Sequence, residues 1–192
     1  MSSTDHIKVR NFSTELIPAS KMSSNEQDDI LHIFHADHKY ESSAQRSSFE
    51  ERWMTPYLKQ SHCTTHFALA KSESKQVIGY LLFVTESQRL LPAFEGKVRA
   101  YKVFQDLYED FPAHLHINLS PACRGLGIGS TLVSLMIKQL QAWGCKGIHL
   151  VTTPDARNVS FYRKNEFGFE EERRLDDTPL LFLGRKLQPT DS

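Results

Sequence analysis

The sequence predicts one mixed α/β domain, and three observations carry that reading. Two apolar, β-rich runs, HFALAK (His66 to Lys71) and QVIGYLLFV (Gln76 to Val84), flank the polar turn SESK and read as a hairpin. A strand, an amphipathic helix and a second strand follow between His114 and Thr153. The 192 residues suit one compact unit, with the core at about 7–187 and a frayed tail at 188–192.

The remaining elements fall in order around this frame. IKVRNF (Ile7 to Phe12) reads as a first strand. DDILHIFHADH places Ile30, Ile33 and Phe34 at helical spacing behind a cap at Ser24 or Asn25. A helix is expected around Phe49 to Met54, broken at Thr55-Pro56. Val98, Tyr101, Phe104 and Leu107 recur every three residues, which predicts a helical insertion after the hairpin. Leu132, Leu135, Met136 and Leu140 form the stripe of a helix that Gly144 stops. GIHLVTT is a buried-type strand, DARNVSFYRK a helix with Asp155 near its cap, and Phe167–Arg173 and Leu180–Leu187 are closing strands.

Composition narrows the function. Lys+Arg and Asp+Glu balance at 23 each, so no global field draws nucleic acid or an anionic membrane. The 40% hydrophobic and 24% charged fractions fit a soluble globular chain. No apolar run spans a bilayer, and MSSTDHIKVR lacks the apolar core of a signal peptide, so a cytoplasmic or nuclear site is expected. Cys63, Cys123 and Cys145 lack paired spacing and read as reduced thiols. His32, His35 and His38 read as solvated helix histidines rather than zinc ligands, and no metal is expected.

The chemistry concentrates in HLHINLSPACRGLGIG, His114 to Gly129. Glycines at 125, 127 and 129, between a strand and a helix start, let backbone N–H groups approach an anion, and Arg124 adds a charged donor. Ser130 where a Rossmann loop needs its third glycine, and the absence of a Walker lysine, exclude those two phosphate loops. Strand alternation puts His114, His116 and Asn118 on one face and Leu115, Ile117 and Leu119 on the other. The polar face is expected to look into a substrate cleft, with His116 as a base acting directly or through water. Asp110 and Glu109 are alternative bases, and Cys123 reads as a packing residue.

Arg124-x-x-Gly127-x-Gly129 between strand and amphipathic helix, followed by Asn158-x-x-Phe161-Tyr162, resembles the GNAT superfamily of N-acetyltransferases. The resemblance implies the GNAT fold, a central mixed, mostly antiparallel sheet flanked by helices, with the helical insertion before the cofactor-binding strand. It implies acetyl-CoA as co-substrate, bound by Ile117, Asn118, Leu119, Arg124, Gly125, Leu126, Gly127, Ile128, Gly129, Ser130, Asn158 and Tyr162. The backbone of Ile117 to Leu119 would pair with pantetheine amides, a backbone N–H near Leu119 would bind the oxyanion, and Tyr162 would protonate the leaving thiolate.

More narrowly, TPYL, VIGYLLF, FPAHLHINLSP and SFYRK resemble the acetyltransferase-like domain of O-GlcNAcases and its stand-alone relatives. Asn118 stands where that group has Asp. In the broader family's Y-x-x-x-G-F, either Glu166 replaces the glycine or Gly168-Phe169 sits two residues late. The implied acceptor is a small primary amine, an amino sugar first, bound by His114, His116 and Asn118 in a monomer or homodimer. A protein lysine acceptor and a catalytically silent acyl-CoA-binding module are the alternatives.

Overall fold

A computed structural model describes residues 11–59, 65–94 and 98–188. Among the described residues seven strands form one sheet: β1 (Ser13–Pro18), β2 (Thr65–Lys71), β3 (Val77–Val84), β4 (Ala113–Leu119), β5 (Gly147–Thr152), β6 (Phe169–Leu175) and β7 (Thr178–Lys186). Their spatial order is β1-β2-β3-β4-β5-β7-β6, and only β4 and β5 run parallel. The mixed, mostly antiparallel sheet is the one expected.

The expected first strand, Ile7 to Phe12, ends where the observed one begins. Residues 7–10 fall outside the described residues, Asn11 and Phe12 precede the strand, and β1 starts at Ser13. β1 is an edge strand with an exposed first half, so burial leaves little alternation in its sequence to locate it.

One face of the sheet carries α6 (Ile128–Ala142) and α7 (Val159–Lys164). Leu132, Val133, Met136 and Leu140 of α6 pack there on Leu81, Phe83, Leu115 and Ile148. Gly144 at φ +70° follows the last turn of α6 in the left-handed conformation a glycine stop supplies. The opposite face carries α1 (Ser24–His35), α2 (Ser43–Trp53), α3 (Thr55–Lys59) and the 87–107 insertion. Ser23, one residue before the expected cap, closes a capping box with Glu26. α2 starts six residues before the expected Phe49, because Ser42 caps it by accepting from the Gln45 N–H. Thr55-Pro56 ends α2 and opens α3, where a proline lacks no needed N–H. At the other helix start, Asp155 caps nothing: Asn158 is the residue before α7.

The insertion is helical but is not one helix. It comprises α4 (Ser87–Leu90), α5 (Ala100–Val103) and 3₁₀ turns at Leu91–Phe94 and Gln105–Leu107. The residues spaced by three are buried from separate short pieces, Val98 before α5, Tyr101 within it and Phe104 after it.

The final register is set at Glu166, which takes φ +66°, while Gly168 needs no left-handed conformation. Glu166 therefore stands in the turn position of the glycine, and its carboxylate pairs with Arg185 at 2.5 Å. Phe167 is the buried aromatic that follows (0% exposed), whereas Phe169 is 37% exposed. Phe167→Ala is expected to cost about 3–5 kcal/mol in urea unfolding and Phe169→Ala clearly less. The reverse ranking would assign the register to Gly168-Phe169.

Candidate functional site

The site begins where two strands part. β4 and β5 pair only at Ala113–Ile148 and His114–His149, while the other edge of β4 stays paired to β3 as far as Leu119–Gly79. Beyond His114 the β5-facing backbone of β4 has no strand partner, and a cavity of about 600 Å³ opens in the gap. Its walls include Ile117, Asn118, Leu119, Arg124, Gly125, Gly127, Gly129, Ser130, Asn158 and Phe161. Three of the residues expected with these stand elsewhere. Leu126 is exposed, Ile128 is buried in the first turn of α6, and Tyr162 is buried but packs on Phe161, which does line the cavity.

The loop is shaped as an anion cradle. Gly125 and Gly127 adopt φ +77° and +80°, and Gly127 caps α6 with no side chain satisfying the first N–H groups of that helix. Those donors and the helix dipole are directed at the cavity mouth. At Gly129 a Cβ would sit 3.1 Å from the Phe161 ring, so the helix start and α7 approach closely. Arg124 donates to the Leu119 carbonyl at 3.1 Å and forks onto Asp37 at 3.1 and 2.6 Å. Arg157 reaches the same carboxylate at 3.4 Å. The Arg124 hydrogen bond holds the Asp37 carboxyl below its usual range. Sequence reasoning missed Asp37, because no local pattern links it to a loop 87 residues away.

The alternation of β4 is as expected, but its polar face is not an open cleft wall. His114 is 2% exposed, held between Ser87 Oγ (2.8 Å) and Tyr57 Oη (3.0 Å). His116 Nε2 meets Tyr57 Oη at 2.8 Å and Tyr101 Oη at 2.7 Å. The reason is the cover: α3 and the insertion lay Tyr57 and Tyr101 over the histidines, which sequence periodicity does not reveal. His114 is thus a buried structural group and does not line the site. Burial pushes the His116 imidazole down to about 4 and His149 to about 3, and it takes His114 well below its ordinary value.

The far end of this face does reach a cavity, of about 200 Å³, lined by Phe34, Phe49, Trp53, Met54, Tyr80, Leu82, His116 and Asn118. Asn118 lines both cavities, and its Nδ2 donates to Tyr80 Oη at 2.9 Å. Asp110 is remote from both. It precedes β4 at the opposite end of the strand, exposed, 3.8 Å from Lys186. Neither cavity has Glu109 on its walls; that residue lines a separate opening with Trp143 and Cys145.

Of the three histidines expected to be solvated, His32 and His38 are exposed and only His35 differs. His35 is buried, bonded to Tyr40 at 2.6 Å and Glu50 at 3.2 Å, and His38 lies against Phe49. Among the described residues no His, Cys, Asp or Glu cluster is arranged to hold a metal, and no helix is long and apolar enough to cross a membrane. Cys123 is buried in the core beside the loop, and Cys63 lies outside the described residues.

The profile of the Acetyltransferase (GNAT) family matches residues 28–169. The crystal structure of SsHAT is similar at a TM-score of 0.65 and 19% identity, over 91% of this chain and 98% of that one. An acyl-CoA N-acyltransferase from Pseudomonas aeruginosa matches at 0.60 and 16%, over 91% and 99%. The ribosomal-protein-S18-alanine N-acetyltransferase from Escherichia coli matches at 0.56 and 13%, over 94% and 97%. These structures share the fold. The narrower likeness to O-GlcNAcase domains rests on the quoted residues alone.

Two outcomes follow from the electrostatics. His114, His116 and His149 are kept neutral in the fold, so the unfolded chain binds more protons below about pH 6.5. Their contribution is complete above that pH and is lost as pH falls toward the depressed folded values. Urea melts from pH 7 to 5 should show stability falling by about 2 kcal/mol for each imidazole that stays neutral, and a flat profile would contradict the burial. Asp37→Asn should tighten coenzyme A binding roughly three- to ten-fold by calorimetry, since it removes a carboxylate competing for Arg124. Weaker binding would mean that Asp37 organises the cradle rather than occupying it.

Proposed function

The chain belongs to the Acetyltransferase (GNAT) family, and from that premise we propose an acetyl-CoA-dependent N-acetyltransferase acting on a small primary amine with an apolar tail. The observation that carries the reading is the meeting of two cavities at Asn118, one with an anion cradle and the other with an aromatic lining.

The residues fit the co-substrate. The unpaired β4 edge at Ile117–Leu119 offers amide groups to a pantetheine chain, as an added strand would. The α6 N-terminus, Gly125, Gly127, Ser130 and Arg124 would hold the pyrophosphate, and Asn158 would reach the cofactor from the opposite wall. Bound there, acetyl-CoA supplies an activated acetyl thioester. A backbone N–H near Leu119 is the candidate oxyanion donor. Burial raises the Tyr162 phenol, which keeps it protonated, the form needed to donate to a thiolate. His116 stays unprotonated at neutral pH and borders the acceptor cavity, so it is the better candidate base than the remote Asp110.

The lining favours one acceptor class over another. Phe34, Phe49, Trp53, Met54 and Leu82 would leave most sugar hydroxyls without partners, whereas an aryl or alkyl tail loses nothing there. One observation favours a second reading, a silent acyl-CoA-binding module: no carboxylate lines the acceptor cavity, and the Asn118 amide is directed to Tyr80.

Thiol release from acetyl-CoA across a panel of arylalkyl, alkyl and sugar amines separates these readings. Apolar-tailed amines should exceed amino sugars by at least roughly ten-fold in kcat/KM, and Tyr162→Phe should lower kcat roughly ten- to hundred-fold with little change in KM. Calorimetric binding of coenzyme A with no amine raising thiol release above background would favour the silent module.

A further inference from the structure

The hydrogen bonds behind His116 admit one proton arrangement in which every contact carries a proton. The Ser87 Oγ–H donates to the Pro112 carbonyl at 2.7 Å, because a carbonyl can only accept. With its single proton committed, Ser87 Oγ must accept from His114 Nδ1–H at 2.8 Å. His114 is neutral in this dry setting, so its Nε2 is a bare lone pair and accepts the Tyr57 hydroxyl proton at 3.0 Å. The Tyr57 oxygen can then only accept, from His116 Nε2 at 2.8 Å and from the Tyr101 hydroxyl at 3.1 Å. A bare Nε2 on His116 would set two lone pairs against each other at the Tyr57 contact. His116 Nε2 therefore carries the proton, shared between the Tyr57 and Tyr101 oxygens.

We propose that Ser87, His114 and Tyr57 are positioning residues that hold His116 in its Nε2–H tautomer, so that its Nδ1 lone pair is the base offered to the acceptor amine. His116 is the histidine of the pair that borders the acceptor cavity, beside Asn118, and its Nε2 is the ring nitrogen engaged by the two tyrosines. The inference rests on the amine-acetylation reading above and adds how the base is set. As the amine nitrogen bonds to the acetyl carbon and the C–S bond breaks, the electron pair of that bond leaves on sulfur. His116 Nδ1 takes the proton lost from nitrogen, and the thiolate takes one from Tyr162. Water then relieves His116 of its proton and restores the Tyr162 phenol. The low basicity of His116 keeps Nδ1 free at neutral pH and suits it to a nitrogen that becomes acidic only as the C–N bond forms.

Long-range ¹⁵N–¹H correlation spectra of histidine-labelled protein read the tautomer directly, and kinetics with the best panel amine read its consequence. In the unmodified chain His116 should give the Nε2–H signature. Tyr57→Phe should mix the tautomers and lower kcat roughly ten-fold, with KM for acetyl-CoA held within about two-fold. Ser87→Ala should do the same, and Ser87→Thr, which keeps the hydroxyl, should restore both readouts. An Nδ1–H signature in the unmodified chain overturns the inference even if Tyr57→Phe fails to fold. So does a tautomer shift in Ser87→Ala with kcat unchanged. Turnover with the wrong tautomer leaves the acetyltransferase reading standing. Absence of turnover with the Nε2–H signature overturns the acetyltransferase reading and the base role, leaving only the tautomer assignment.

Discussion

Everything in the site depends on β4 and β5 pairing for only two residue pairs and then separating. Parallel neighbours that remained paired would bury the backbone of Ile117 to Leu119 in a ladder. Because they part, the sheet keeps an open edge in its interior rather than at its margin, where an exposed edge would invite aggregation. The gap is held open on one side by the firm β3–β4 ladder and on the other by the β5–β7 pairing. α6 starts at its mouth, so a sheet edge, a glycine turn and a helix N-terminus converge without any further device.

A polar strand face inside a core imposes its own demand. His114, His116 and His149 lie along one side of the sheet under aromatic cover, where a charged imidazole would be costly. The fold answers with neutral rings, most of whose nitrogens are directed to hydroxyls and a carbonyl, Ser87, Tyr57, Tyr101 and Phe111 O, while His149 Nε2 is buried without a partner. Such a network is worth having only when satisfied, which ties the insertion and α3 to the chemistry of β4. The turns at 87–107 consequently do more than cover apolar surface. Through Ser87 and Tyr101 they supply hydrogen-bond partners to the strand beneath them.

The electrostatics of the larger cavity are local. A local cation pair, Arg124 and Arg157, exists in a chain with no net charge, and Asp37 from the end of α1 supplies its counter-charge. The same loop joins α1 to α2, whose Phe34, Phe49 and Trp53 line the acceptor cavity. The ion pair at the glycine loop and the aromatic wall of the smaller cavity therefore draw on one segment of backbone.

What could be read in the sequence was local. The arginine–glycine loop, the alternation from His114 to Leu119 and the stripe of α6 are patterns within one or two turns, where covalent geometry fixes which side chains share a face. They were enough for the fold class, the family and most of the residues that line the strand gap. The Glu166 turn was ambiguous because a residue other than glycine holds the left-handed conformation, and only the burial of Phe167 resolves it. Tertiary structure alone decided that His114 is interior, that Ser87 and Tyr57 bond to it, and that Asp37 meets Arg124. Those contacts join residues 27 to 87 positions apart. Periodicity describes which face a side chain takes; only the packing of distant segments determines what covers it.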